Sequence, residues 1–185
     1  MPTTNDSSVQ LTAPGTMRLE RMLPGPIERV WAFLTEGEKR KKWIAAGEME
    51  LKAGGKYEYI FDHDQISEDA EPVPEKYADD CYPGMVMTGH VIAVDPPRML
   101  HMTWAEGSDE QSEVKFELEP VGDKVKLVLT HSKLFNNDLL LGVCAGWHAH
   151  IDIMADHLDG VPARQFWSNH MRLEEEYKKT LFANA

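Results

Sequence analysis

The sequence predicts an α+β domain: a curved antiparallel sheet of six or seven strands around one long C-terminal helix, with an extra C-terminal helix after it. Three observations predict it. From Val86 to His131, apolar and polar residues alternate through turn-bounded segments, the period of strands with one buried face. Directly afterwards, Leu140, Val143, Trp147, Ile151, Met154 and Leu158 fall on one helical stripe at about 100° per residue. A single antiparallel sheet cannot leave its apolar face wet, and that stripe is the natural cover.

The elements follow in order. Residues 1–15 are polar up to Pro14-Gly15 and read as a disordered N-terminal tail, which leaves 16–185 as a single domain. Residues 16–23 alternate loosely, as an edge-type first strand would. Pro24 and Pro26 end it, and Pro26 suits the first turn of a helix, where its missing N–H does no harm. Val30, Trp31 and Leu34 mark that short helix. Thr35 with Glu38 has capping-box spacing for a second short helix ending near Trp43. Met49 and Leu51 suggest a brief strand, Gly54-Gly55 a hairpin, and Tyr57, Tyr59 and Phe61 the returning strand.

Residues 64–84 form a long acidic loop, with Glu68, Asp69, Glu71, Glu75, Asp79 and Asp80 opposed only by Lys76. It reads as an insertion or a lid. Strands resume at 85–94 and 98–105, then at Val114-Phe116-Leu118 and Val125-Leu127-Leu129-His131. Because Leu127 and Leu129 face inward, His131 does too. Asn136, Asn137 or Asp138 can cap the long helix, and Asp159-Gly160 with Pro162 ends it. Asp152 and Asp156 fall on the side away from the stripe, and Gly142 and Gly146 read as permitting close approach to the sheet. The last helix, about 162–181, is expected to dock through Phe166, Leu173 and Tyr177, with Glu174, Glu175 and Glu176 on its other face.

Composition narrows the function. The 31 acidic residues against 19 basic ones give a net charge of −12, and no long basic stripe exists to displace counterions from phosphate. Nucleic acid is therefore not an expected partner. The cluster Lys39-Arg40-Lys41-Lys42 reads as a solvated face. No apolar run approaches the ~18 residues of a membrane span, and the first residues lack the pattern of a secretory signal. Cys81 and Cys144 do not make a disulfide scaffold, so a reducing cytoplasm is the expected compartment.

No catalytic set emerges. The sequence has no nucleophile elbow and no phosphate-binding glycine loop, and no pattern calls for a metal or cofactor. His148 and His150 point about 200° apart on the helix. His148 and Asp152 share a face at i, i+4 and read as a surface contact. What remains is an inward set of large side chains with polar tips: Trp43, Tyr57, Tyr59, Trp104, Phe116, His131, Trp147, Ile151 and Met154, with His150 and His157 bordering the stripe.

The run from Arg21 through Pro24-Gly25-Pro26 to Trp31 and Thr35 opens a longer pattern. Trp43, Pro96-Pro97-Arg98, Thr103-Trp104, Leu129-Thr130-His131-Ser132 and Gly146-Trp147-His148-Ala149-His150-Ile151-Asp152 complete it. In order and spacing it resembles the Bet v 1/START-like (SRPBCC) superfamily over roughly residues 16 to 180. Within that superfamily it resembles the branch named after the activators of the heat-shock protein 90 ATPase. The resemblance implies a helix-grip fold whose sheet and long helix enclose a ligand cavity.

The leading expectation is a non-enzymatic domain that binds a hydrophobic or aromatic small molecule there. Trp43, Tyr57, Tyr59, Trp104, Phe116, His131, Trp147, His150, Ile151 and Met154 are the candidate contacts. The 64–84 loop and the His131-Ser132 end are the expected gates. The alternative is a co-chaperone-like regulator with a chaperone as partner. Complete activators carry a further chaperone-binding domain before this one, which 15 polar residues are not expected to supply. A cyclase-like use of the cavity, with His131 as acid-base group, is the third reading. The chain is expected to be a monomer or homodimer.

Overall fold

A computed structural model describes residues 9–183. Its strands are β1 (Val9–Ala13), β2 (Thr16–Pro24), β3 (Ala45–Ala46), β4 (Lys56–Phe61), β5 (Met85–Asp95), β6 (Met99–Trp104), β7 (Ser112–Val121) and β8 (Lys124–Ser132). The helices are α1 (Ile27–Thr35), α2 (Gly37–Arg40), α3 (Asn137–Asp159) and α4 (Phe166–Thr180). The strands form one antiparallel sheet in the order β1-β2-β8-β7-β6-β5-β4-β3. The α+β helix-grip arrangement is as predicted, with eight strands rather than six or seven.

The additional strands lie at the sheet edges. Residues 9–13, expected in a disordered tail, form β1 against β2, so β2 is an interior strand rather than the predicted edge. Residues 1–8 lie outside the described residues. The two-residue β3 pairs with the end of β4, and the strand expected at Met49–Leu51 reduces to one bridge between Met49 and Tyr57. Such short edge segments carry too little periodicity to be read.

Alternation places Met17, Leu19 and Leu23 of β2 and Val125, Leu127, Leu129 and His131 of β8 on the inner face. The α3 residues Trp147, Ile151, Met154 and Leu158 are buried with them in one core. Asn136 caps α3 by accepting from the Leu139 N–H at 3.0 Å, and Gly160 ends it at φ 71°, which a residue without Cβ adopts at little cost.

Two local readings change. The Thr35 hydroxyl donates back to the Trp31 carbonyl at 2.9 Å instead of capping α2. Arg40, expected on a solvated face, is fully buried: it donates to the carbonyls of Thr35 and Gly47 at 3.1 and 2.7 Å and lies 4.6 Å from the centre of the Tyr59 ring. Its neighbours Lys39 and Lys41 stay exposed beside Glu36 and Glu38. A charged run on a short helix gives no sign of which member turns inward.

The other side of α3 is not solvent. Asp152 and Asp156 are buried beneath α4. Asp152 faces Arg21 of β2 at 2.7 Å, Asn169 at 2.9 Å and Arg164 at 3.3 Å, while Arg164 grips Asp156 with two side-chain bonds of 2.7 and 2.8 Å. The predicted surface contact of His148 with Asp152 is thus part of a buried network, at 3.7 Å. Gly142 and Gly146 open toward the loop and α4, not the sheet: a Cβ on Gly142 would stand 3.2 Å from the Tyr77 hydroxyl, and one on Gly146 would stand 3.7 Å from His170.

Candidate functional site

The inner site forms where the C-terminal half of β8 and the start of β7 meet the middle of α3. Strand phase brings Ser112, Phe116 and His131 to the inner face, and helix phase brings Trp147 to meet them. Trp147 Nε1–H donates to His131 Nδ1 at 2.9 Å. With Nδ1 accepting, neutral His131 carries its proton on Nε2, which donates to the Ser112 hydroxyl at 2.8 Å. Burial lowers the His131 pKa to about 3, so the ring is neutral near pH 7. The Ser112 oxygen accepts, and its own proton reaches no acceptor among the described residues.

Aromatic rings surround this relay. Trp104 lies 5.1 Å from Trp147 and 5.7 Å from His131, Phe116 lies 5.5 Å from Trp147, and Tyr59 lies 5.8 Å from Trp104. These are contact distances, so side chains occupy the space at this level. Trp104 is half-buried and stands at the end of β6, just before Ala105 at φ 50°, an uncommon backbone angle for a residue with a Cβ. At that end of the strand the cluster comes nearest to solvent. Tyr57 and Tyr59 extend the wall, Tyr57 by donating to the Thr103 carbonyl at 2.6 Å.

The predicted residues divide into two groups. Trp104, Phe116, His131 and Trp147 converge, with Tyr57 and Tyr59 beside them and Ile151 and Met154 buried in the same core. Trp43 and His150 sit apart. Trp43 donates to the Phe33 carbonyl at 2.8 Å, and His150 Nδ1–H donates to the Trp43 carbonyl at 2.7 Å. His157 makes a similar bond to the Lys42 carbonyl at 3.0 Å. Ser112 was missed because a serine at the start of a strand looks like turn punctuation. Only its register opposite Trp104 and two positions from Val114, the residue paired with His131, reveals its role.

His150 belongs to a second cluster beneath α4. His63 lies 5.6 Å from His150, 4.8 Å from Phe166 and 5.1 Å from Trp167, and His170 lies 5.6 Å from Phe166 and 5.0 Å from Tyr77. The acidic loop is clamped to this helix. Ser67 donates to the Arg164 carbonyl at 3.0 Å and accepts from Phe166 N–H at 3.2 Å, while Glu71 accepts from Ser168 N–H at 3.1 Å. Lys76 and Tyr77 both donate to Glu174, which is buried rather than on the outer face. Phe166, Leu173 and Tyr177 dock α4 as expected.

A recess of about 650 Å³ opens elsewhere, beside β4 and β5, among Glu48, Glu50, Glu58, Thr88, His90 and Glu106. Of the predicted site residues it is lined by Tyr57, but not by Trp104, Phe116, His131 or Trp147. Among the described residues no group of three His, Cys, Asp or Glu side chains could hold a metal ion, and no helix is long and apolar enough to cross a membrane.

Residues 24–159, from the end of β2 to the end of α3, match the family described as activator of Hsp90 ATPase homolog 1-like protein. The chain belongs to this family. No curated protein matches it. Among solved structures it is similar to a Bordetella parapertussis protein determined by NMR, with 39% identity over 95% of this chain and 91% of that one and a TM-score of 0.78. CalU16 from Micromonospora echinospora shares the fold at 18% identity, over 97% of this chain and 99% of that one, with a TM-score of 0.67. DynU16, from the dynemicin biosynthetic locus, does so at 18% identity over 84% of this chain and 51% of that one, with a TM-score of 0.63. These neighbours share the fold over most of this chain.

Proposed function

We propose that this domain binds a hydrophobic or aromatic small molecule between the sheet and α3 and holds it without chemical turnover. One observation supports the reading above others: buried Ser112 accepts from His131, which leaves its own proton without an acceptor among the described residues. A buried donor without a partner costs about 1–3 kcal/mol. A ligand oxygen placed beside Ser112 would recover that cost. The ligand would enter past half-buried Trp104 at the end of β6, displacing its ring, and would lie against Trp147, Phe116 and Tyr59. Burying about 200 Å² of apolar ligand surface there would contribute about 5 kcal/mol. The neutral His131 orients the hydroxyl, and with both ring nitrogens engaged it is poorly placed to move a proton.

The test is native mass spectrometry of gently purified protein, followed by calorimetry with the molecule retained. Ser112→Ala should weaken uptake about tenfold, the equivalent of one hydrogen bond, and should cost about 1–3 kcal/mol of folding stability because it strands the buried His131 Nε2–H. No retained mass, and no binding by planar aromatic ketones or phenols, would remove the proposal. Regulation of a chaperone ATPase is the second reading, and it draws on the family itself. Stimulation of a purified heat-shock protein 90 ATPase by this chain would favour it.

A further inference from the structure

We propose that α4 and the 62–84 loop form one acid-sensitive lid over the Trp104 end of the inner cluster, released when the His63–His150–His170 cluster takes up protons. The use of such a lid rests on the binding function proposed above; the opening itself does not.

The lid is a unit because loop and helix are bonded to each other through Ser67, Glu71, Lys76 and Tyr77. It sits where the inner cluster ends. Phe61 lies 6.5 Å from Trp104 and stacks nearly parallel on His63 at 6.3 Å, and His63 packs on Phe166 and Trp167 of α4. Lifting α4 therefore uncovers the ring next to Trp104.

The seat of the lid suits neutral rings and resists charged ones. His150 spends Nδ1–H on the Trp43 carbonyl and packs 4.4 Å from Phe166. The two ring nitrogens of His170 and Trp167 Nε1 are buried without a hydrogen-bond partner. The groups facing the cluster are few. From the loop come Asp64 beside His63, and Lys76 and Tyr77 beside His170; from α4 comes Glu174, 3.3 Å from His170 Nε2 but not aligned for a hydrogen bond. Glu174 is already engaged by Lys76 and Tyr77, and α3 supplies only His150 itself. Two protons on His63 and His150 would stand one ring apart with no carboxylate between them.

Burial chiefly, then the neighbouring histidine, lowers His63 to about 4. Burial lowers His170 to about 4 against the pull of Glu174, and holds His150 well below its ordinary value. An open lid returns each ring to water and to an ordinary pKa near 6.5. The closed lid therefore keeps its full stability above about pH 6.5 and loses it as pH falls toward 4, by about tenfold per unit for each histidine. The carboxylates of Asp156 and Glu174 stay ionised in the upper part of this window. Burial raises and Arg164 lowers Asp156, with a net depression; for Glu174 the hydrogen bonds of Lys76 and Tyr77 likewise outweigh burial.

The test is amide hydrogen exchange of the full chain at pH 7.5 and 5.5, corrected for intrinsic rates, with β7 and β8 as internal reference. Protection of α4 and residues 62–84 should fall by at least about tenfold relative to the reference, and H63F/H170F should suppress most of that fall. Should the double variant not fold, H63Q should remove about one tenfold step. Equal relative protection at both pH values, or a full acid response in the variants, overturns the proposal. Uptake of the apolar dye anilinonaphthalene sulfonate separates it from the binding function. Acid exchange in α4 with the dye excluded leaves the lid standing and counts against the ligand site. Uptake that ignores pH, with α4 unchanged, does the reverse.

Discussion

Helix α3 carries an aromatic cluster with histidine on each side, and the two differ in how their polar atoms are matched. On the sheet side, both nitrogens of His131 and the Trp147 N–H are hydrogen-bonded within the protein. On the α4 side, both nitrogens of His170 and the Trp167 N–H are buried without such partners. The sheet side is built from interior strands joined by continuous ladders, so its groups are held in register. The α4 side is assembled from a loop and a terminal helix joined by side-chain contacts. Unmatched buried groups lower the stability of whichever element they sit in. They are tolerated where local opening is inexpensive, which is where moving parts are drawn from.

The largest expected contrast is between the two tryptophans. Trp147→Ala should cost about 4 kcal/mol, from the cavity left in the core and the bond lost to His131. Trp167→Ala should cost clearly less and leave β7 and β8 exchange protection intact. Denaturant unfolding of both variants measures this, and equal costs would erase the distinction. Next come the histidines. His131→Leu strands the Trp147 N–H and should cost about 2 kcal/mol, whereas His170→Leu removes two unmatched nitrogens and should cost under about 1 kcal/mol or stabilise. The reverse order would mean that the α4 side is the rigid one. The smallest effect is a slope. His131 is depressed by burial, so its contribution is complete above about pH 6.5 and declines by about 1.4 kcal/mol per unit as pH falls toward 3. Unfolding free energies at pH 7.5 and 5.5 should differ less in His131→Leu by about that amount.

Much of the sheet side was legible. Alternation carried Leu127 and Leu129 inward and His131 with them, and the α3 stripe placed Trp147, Ile151 and Met154 opposite. The α4 side was not, for reasons visible in individual residues. His63 lies in a loop with no period, and Asp152 and Asp156 lie on what a helical wheel marks as the polar face. Arg21 stands in phase with the buried residues of β2, a signal that an inward charge awaited a partner. The partner's identity depended on where α4 lands.

From the sequence alone came the antiparallel sheet, the gripping helix with its caps and the inward turn of His131. Each follows from a period or a cap that acts within one element, where the chain itself sets which side chains share a face. Only the tertiary structure decided that β1 extends the sheet, that Arg40, Asp152 and Glu174 are buried, and that the acidic loop is bound to α4. Some of these outcomes rest on contacts between residues up to about a hundred positions apart, such as Lys76 with Glu174. Asp152 and Glu174 are buried because partners distant in sequence, Arg21 and Lys76, reach them, and nothing in their own neighbourhood announces that arrival.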